Sequence, residues 1–96
     1  MFGLLTTTVL SCSTLKPHLP MVLAREALQS AKEVDAPRYA PGFYFKAEEA
    51  FRTGSNLYNE KAYGSCIEKF NLAKEYAEKA ENSARIQRQK SGEEAL

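Results

Sequence analysis

Residues 47–84, AEEAFRTGSNLYNEKAYGSCIEKFNLAKEYAEKAENSA, decide the fold of this 96-residue chain. In the first part Ala47, Ala50, Phe51, Gly54, Leu57 and Tyr58 recur at steps of three and four, which places them on one face of a helix. In the second part Tyr63, Cys66, Ile67, Phe70, Ala73, Ala77, Ala80 and Ala84 keep the same spacing. A turn near Glu60 and Lys61 joins the two arms, and so short a connection leaves them antiparallel, each burying its stripe against the other. Gly54, Cys66, Ala73 and Ala77 permit close axial approach, while Phe51, Leu57 and Phe70 fill the space between.

An earlier helix completes the domain. Pro20 suits a helix start, where a missing amide hydrogen costs nothing. Leu23, Ala24, Ala27, Leu28, Ala31 and Val34 then form an apolar stripe opposite Arg25, Glu26, Gln29, Ser30, Lys32 and Glu33. Helix one is expected over about Met21 to Val34. Pro37 ends it, since the residue before a proline leaves the helical region, and Pro41 with Gly42 keeps the connection extended. Tyr39 is expected to pack on the hairpin. Phe43, Tyr44 and Phe45 open helix two and cannot share one face, so at least one points away. Helix three is the longest, about Lys61 to Gln87, with Lys74–Glu78, Glu75–Lys79 and Glu81–Arg85 spaced for ion pairs on its outer side. The expected architecture is all-α, three helices in an antiparallel up-down-up arrangement. Its core is Leu28, Phe51, Gly54, Leu57, Tyr63, Cys66, Phe70, Ala73 and Ala77. Beyond Ala77 the stripe is alanine alone, so helix three is expected to outrun its partners or to lend that end to a second copy.

The ends are different in kind. Met1–Ser11 is apolar, lacks any charged side chain and stops on Cys12. Val9, Ser11 and Cys12 fit the pattern that precedes an acylated cysteine, although Leu10 is larger than usual there and the basic start of a signal peptide is missing. Residues 12–20 carry two prolines and no periodicity and are expected to be a tether. The domain proper is expected over 21–87, followed by a frayed tail over 88–96.

Composition narrows the function. Hydrophobic residues are 44% and charged residues 26%, as in an ordinary soluble helical domain. With 13 basic and 12 acidic side chains interspersed, net charge is +1, and no basic face suited to nucleic acid is visible. No apolar run approaches the roughly 18 to 20 residues needed to span a bilayer. Two cysteines and one histidine, His18, fall short of the roughly four ligands a zinc site takes, so no metal or other cofactor is expected. A Cys12–Cys66 disulfide is sterically open on sequence grounds. Cys66 itself has the setting of a small buried hydrophobe. Glu48 and Glu49 fall outside the apolar stripe, away from any desolvated cleft where acid–base chemistry could be built, so no catalytic activity is expected.

The run from Gly54 through Tyr63 and Cys66 to Phe70 and Ala73 resembles one tetratricopeptide repeat, with Cys66 where alanine is usual, Ala50 where an aromatic is usual and Glu78 where proline closes the motif. The wider chain, from Ala24, Ala27-Leu28 and Ala31 through Ala36-Pro37, Tyr39-Ala40-Pro41 and Ala47 to the alanine ladder, resembles the small alanine-rich bacterial envelope lipoproteins grouped as domain of unknown function 4398. That resemblance implies a non-catalytic helical lipoprotein, acylated at Cys12, anchored in the cell envelope at the outer membrane or its periplasmic face, with a structural or protein-interaction role. The alternative is a soluble, cytoplasmic tetratricopeptide-like module that takes a partner's peptide or helix between helix one and the hairpin.

Overall fold

A computed structural model describes residues 17–92. Among them the fold is all-α: α1 (His18–Glu33), α2 (Ala36–Tyr39), α3 (Pro41–Asn59) and α4 (Tyr63–Ser91). Four helices stand where three were expected. Pro37 and Pro41 do not hold an extended connection; each lies in the first turn of a helix, where its fixed φ is already helical and its missing donor is not needed. Asp35 makes the corner between α1 and α2 in the left-handed region, φ 63°, a conformation that Asp tolerates better than most residues.

α1 begins at His18, with Pro17 as its buried N-cap, so the last three residues assigned to the tether are helical and Pro20 sits in the first turn rather than at its head. At the other end α4 runs to Ser91, through four residues expected to fray. Gly92 stops it in the left-handed conformation, φ 81°, its amide pointing back to the carbonyls of Arg88 and Gln89. Arg88 and Lys90 complement the carbonyl end of the helix. Residues 1–16, with Cys12 and most of the expected signal segment and tether, and residues 93–96 lie outside the described residues.

The turn between α3 and α4 is a Schellman motif. The Ala62 amide donates to the Leu57 carbonyl at 2.9 Å and the Lys61 amide to that of Tyr58 at 3.0 Å. Lys61 occupies, at φ 65°, the position where glycine is usual. The turn brings Tyr58 against Tyr63, ring centres 5.8 Å apart; further out Phe51 meets Phe70 at 5.2 Å and Phe43 meets Tyr76 at 6.4 Å.

α1 and α3 both lie mainly on α4 and touch each other far less. The core divides into two clusters along α4. One gathers Ala24, Ala50, Cys66, Phe70 and Ala73, with Met21, Phe51, Leu57, Tyr58 and Leu72 packed around it. The other gathers Ala31, Val34, Ala36, Ala40, Tyr44, Ala80 and Ala84, with Leu28 and Tyr39 against it. The alanine ladder beyond Ala77 is therefore covered, by the end of α1, by α2 and by the start of α3, and Ala80 and Ala84 have no exposed surface. Only beyond Ala84 does α4 outrun its partners. Of the connection that closes over this end, the packing of Tyr39 was expected and is found, while its helix was missed because the prolines signalled a break.

Phe70 is the largest fully buried side chain among the described residues. It sits on Gly54, where a Cβ would come within 2.9 Å of the ring. Phe70→Ala is expected to cost about 3 to 5 kcal/mol, enough to unfold a domain at the low end of the usual stability range. Gly54→Ala is expected to cost about 1 to 3 kcal/mol by overpacking the same contact. Thermal melts followed by circular dichroism check both; a melt unchanged in both variants would refute the register. Lys61→Gly relieves a left-handed side chain and should stabilise by about 0.5 to 1 kcal/mol, read as a raised denaturation midpoint.

Candidate functional site

Because α1 and α3 rest side by side on α4 without closing on each other, a shallow groove of about 380 Å³ opens between them. Leu28 of α1 forms one wall. Glu48, Phe51, Arg52, Ser55 and Asn56 of α3 form the other, at the three- and four-residue steps of a single helix face. Phe51 is half-buried, one side of its ring against Phe70. The Arg25 guanidinium lies 5.7 Å from its centre and places a cation beside the groove. Ser55 donates its hydroxyl to the Phe51 carbonyl at 3.0 Å, one turn back in α3. A groove with an apolar base and mixed charge on its rim is suited to holding a side chain or a helix.

The expected core residues separate into two groups. Cys66, Phe70, Ala73 and Ala77 have no exposed surface, and Gly54 is buried beneath the Phe70 ring. Leu28, Phe51, Leu57 and Tyr63 are half-buried; Leu28 and Phe51 pack against the core clusters on one side and line the groove on the other. The residues that sequence reasoning missed are Arg52, Ser55 and Asn56. Their signal was present in the spacing from Phe51, but a polar face with no partner in view reads as solvated.

Of the aromatic tract, Tyr44 alone turns inward. Phe45 is 53% exposed and packs edge-on to Tyr44, and Phe43 is 38% exposed and stacks on Tyr76. Tyr39 packs against the alanine-rich cluster, its ring 4.9 Å from the Arg38 guanidinium. Two of the three expected ion pairs form, Lys74–Glu78 at 3.3 Å and Glu81–Arg85 at 2.8 Å. Lys79 lies instead over the Tyr76 ring.

Among the described residues no group of three or more His, Cys, Asp or Glu side chains converges as a metal site would require, and no helix is long and apolar enough to cross a membrane. Burial pushes the Cys66 thiol upward, away from the reactive thiolate. Burial also raises the Tyr44 phenol from 10.0 to about 12, helped by the hydrogen bond it donates to Glu48 and by that carboxylate's charge. A folded pKa above the unfolded one means that the stability contributed by neutral Tyr44 is intact below pH 10 and lost as pH rises from 10 to 12. One of the five tyrosines should therefore ionise near pH 12, as a late phase in phenolate absorbance. Tyr44→Phe should remove that phase and flatten the loss of melting temperature across the same window.

No curated protein and no solved structure matches this chain. One family model does, that of a domain of unknown function (DUF4398), over residues 20–96. The match covers α1 from Pro20, both corners, the Gly54–Phe70 contact and the alanine ladder, and the chain belongs to that family.

Proposed function

We propose that this protein is a non-catalytic helical module of the bacterial cell envelope, held to a membrane by lipid on Cys12 and engaging a partner protein through its surface. The interaction half of this reading rests on one observation, the groove that α1 and α3 leave open along Leu28, Phe51 and Arg52. The anchor half rests on sequence: an apolar run without charge ends on Cys12, and only Ser13 to Pro17 separate that cysteine from α1. Five extended residues reach at most about 17 Å, which would keep the helices close to the membrane surface. One acyl chain binds a bilayer marginally, so a stable anchor requires two or more.

α1, α3 and α4 are read as an up-down-up arrangement. Supporting it, Ala24 clusters with Cys66 and Phe70 while Ala31 clusters with Ala80 and Ala84, so α1 follows α4, and the aromatic contacts of α3 run the other way. The α3–α4 pair is read as tetratricopeptide-like, supported by Gly54 against Phe70 at that motif's positions. Self-association through α4 would have to use its exposed side, since the alanine ladder is covered.

Mass spectrometry of the native protein tests the anchor. The expected species begins at Cys12, carries acyl chains and incorporates a palmitate analogue, and Cys12→Ala moves it from the membrane to the soluble fraction. A free Met1 with an unmodified Cys12 refutes the lipoprotein reading and leaves a soluble binding module, whose groove is then tested by Leu28→Glu against partner binding.

A further inference from the structure

We propose that the face where α3 and α4 lie side by side, away from α1, docks an acidic amphipathic helix of a partner protein. The proposal rests on the interaction half of the reading above and is independent of the anchor. Leu72, Tyr76, Ser83 and Ile86 fall on one stripe of α4 at helical spacing. Lys69, Lys79 and Lys90 fall on the same stripe, with the exposed Glu68 and Glu75 along its edge. From α3 come Phe43 and Lys46, with Glu49 as the one acid lining the face. Two hollows, of about 240 and 270 Å³, meet at Lys46; Leu72 and Tyr76 line the first, Phe43 and Ser83 the second.

The charge here is segregated. Lys46 and Lys69 line the hollows and Lys79 lies over Tyr76, with Glu49 as the one acid among the lining residues, in a chain whose basic and acidic side chains otherwise nearly cancel. The ammonium groups of Lys46 and Lys79 lie 5.6 and 5.7 Å from the centre of the Tyr76 ring, on which Phe43 also stacks. None of the four lysines is ion-paired with a carboxylate among the described residues, whereas Lys74 and Arg85 on other stripes of α4 are. Two of these cations are thus gathered by an aromatic ring and left without an acid.

Shape and charge together select the occupant. From Lys69 to Lys90 the stripe runs about 32 Å along α4, of which the stretch to Ser83 has α3 beside it, the form of surface that receives another helix laid along it. Leu72, Tyr76 and Ile86 fall at the positions of a coiled-coil seam, with Lys79 and Ser83 at the two seam positions between them. A second copy presenting the same face would set lysine against lysine, which disfavours a two-fold pair. An anionic bilayer is a poorer fit, because on this face only Phe43 and Ile86 are exposed enough to insert, Leu72 and Tyr76 being half-buried.

The test is fluorescence anisotropy on the full chain with a labelled peptide of about three heptads, leucine at the seam positions and glutamate elsewhere. Its controls are a scrambled peptide of the same composition, a lysine-for-glutamate counterpart and phosphatidylglycerol vesicles. The expected result is binding at least about tenfold tighter than either control peptide, weakening as salt rises. Lys46→Glu with Lys79→Glu should weaken it about tenfold or more, and Lys46→Gln with Lys79→Gln less, in the same direction. Both lysines are exposed, so the circular dichroism melt should be unchanged. In NMR spectra the resonances of Tyr76 and Ile86 should shift. Absent or scramble-tolerant binding, an unaffected charge-reversed variant, shifts confined to Phe51 and Arg52, or binding to vesicles without binding to the peptide would each overturn the proposal. The assay reads the same whether or not Cys12 is acylated, so the two readings fail separately.

Discussion

Everything in this fold is placed relative to one contact, the ring of Phe70 lying on the backbone at Gly54. A methyl group at Gly54 would collide with the ring, so the separation of α3 and α4 at this level is set by an aromatic thickness against bare backbone. Once that distance is fixed, the neighbouring positions on α4 have room for little more than a methyl or a thiol. Cys66 and Ala73 flank Phe70, and Ala77, Ala80 and Ala84 continue the line. α1 then comes down on the remaining side of α4 with Ala24 and Ala31 as its contact residues, again small, so that three helices approach closely around a core nearly without bulk.

A core built this way buries little area per residue, at about 25 cal/mol per Å², and depends on continuity. That explains the work done at the far end. There Tyr44 supplies the one buried ring, with Tyr39 packed against the cluster from outside, and the Tyr44 hydroxyl is accommodated by Glu48 one turn further along α3. Ala36 and Ala40, from the corner between α1 and α3, complete the cover over Ala80 and Ala84. Asp35 in the left-handed region turns the chain into α2, and Pro37 and Pro41 restart helices with φ already set. The corner is therefore part of the core and not a link between parts of it.

The arms of the hairpin, the burial of Phe70 and Cys66 and the small residues that let them meet were legible in the sequence because helical periodicity survives without tertiary context. The corner was not. The same Pro37 and Pro41 that forbid a continuing helix also favour a new one, and periodicity cannot decide between these over four residues. Ser91-Gly92 carried a stop signal of the usual kind, a glycine after the last helical residue, but a polar tail without a stripe hid it. Of the groove between α1 and α3, Leu28 and Phe51 were visible as apolar and were assigned inward. Their half-exposure follows from how little α1 and α3 touch, a property of three-body packing and not of either helix.

An interior occupied largely by methyl groups leaves the charged and polar side chains to the rims, and the two rims differ in chemistry. Beside α1 a guanidinium lies over Phe51 with Glu48 and Arg52 on the groove's wall, so the charges there are mixed. Beside α4 two ammonium groups gather on Tyr76, and neither pairs with a carboxylate among the described residues. Either rim, once occupied, acts back on the fold. A ligand that binds only the folded chain stabilises it by about 2.7 kcal/mol at a hundredfold excess over its dissociation constant. For a small domain near about 5 kcal/mol, that is a large fraction of what holds the Phe70–Gly54 contact closed. Occupancy of a rim and the integrity of the core are thereby one equilibrium: a partner that binds only the folded chain makes opening of the Phe70–Gly54 contact rarer, and a substitution in the core lowers the apparent affinity of a rim once it leaves unfolded chain populated.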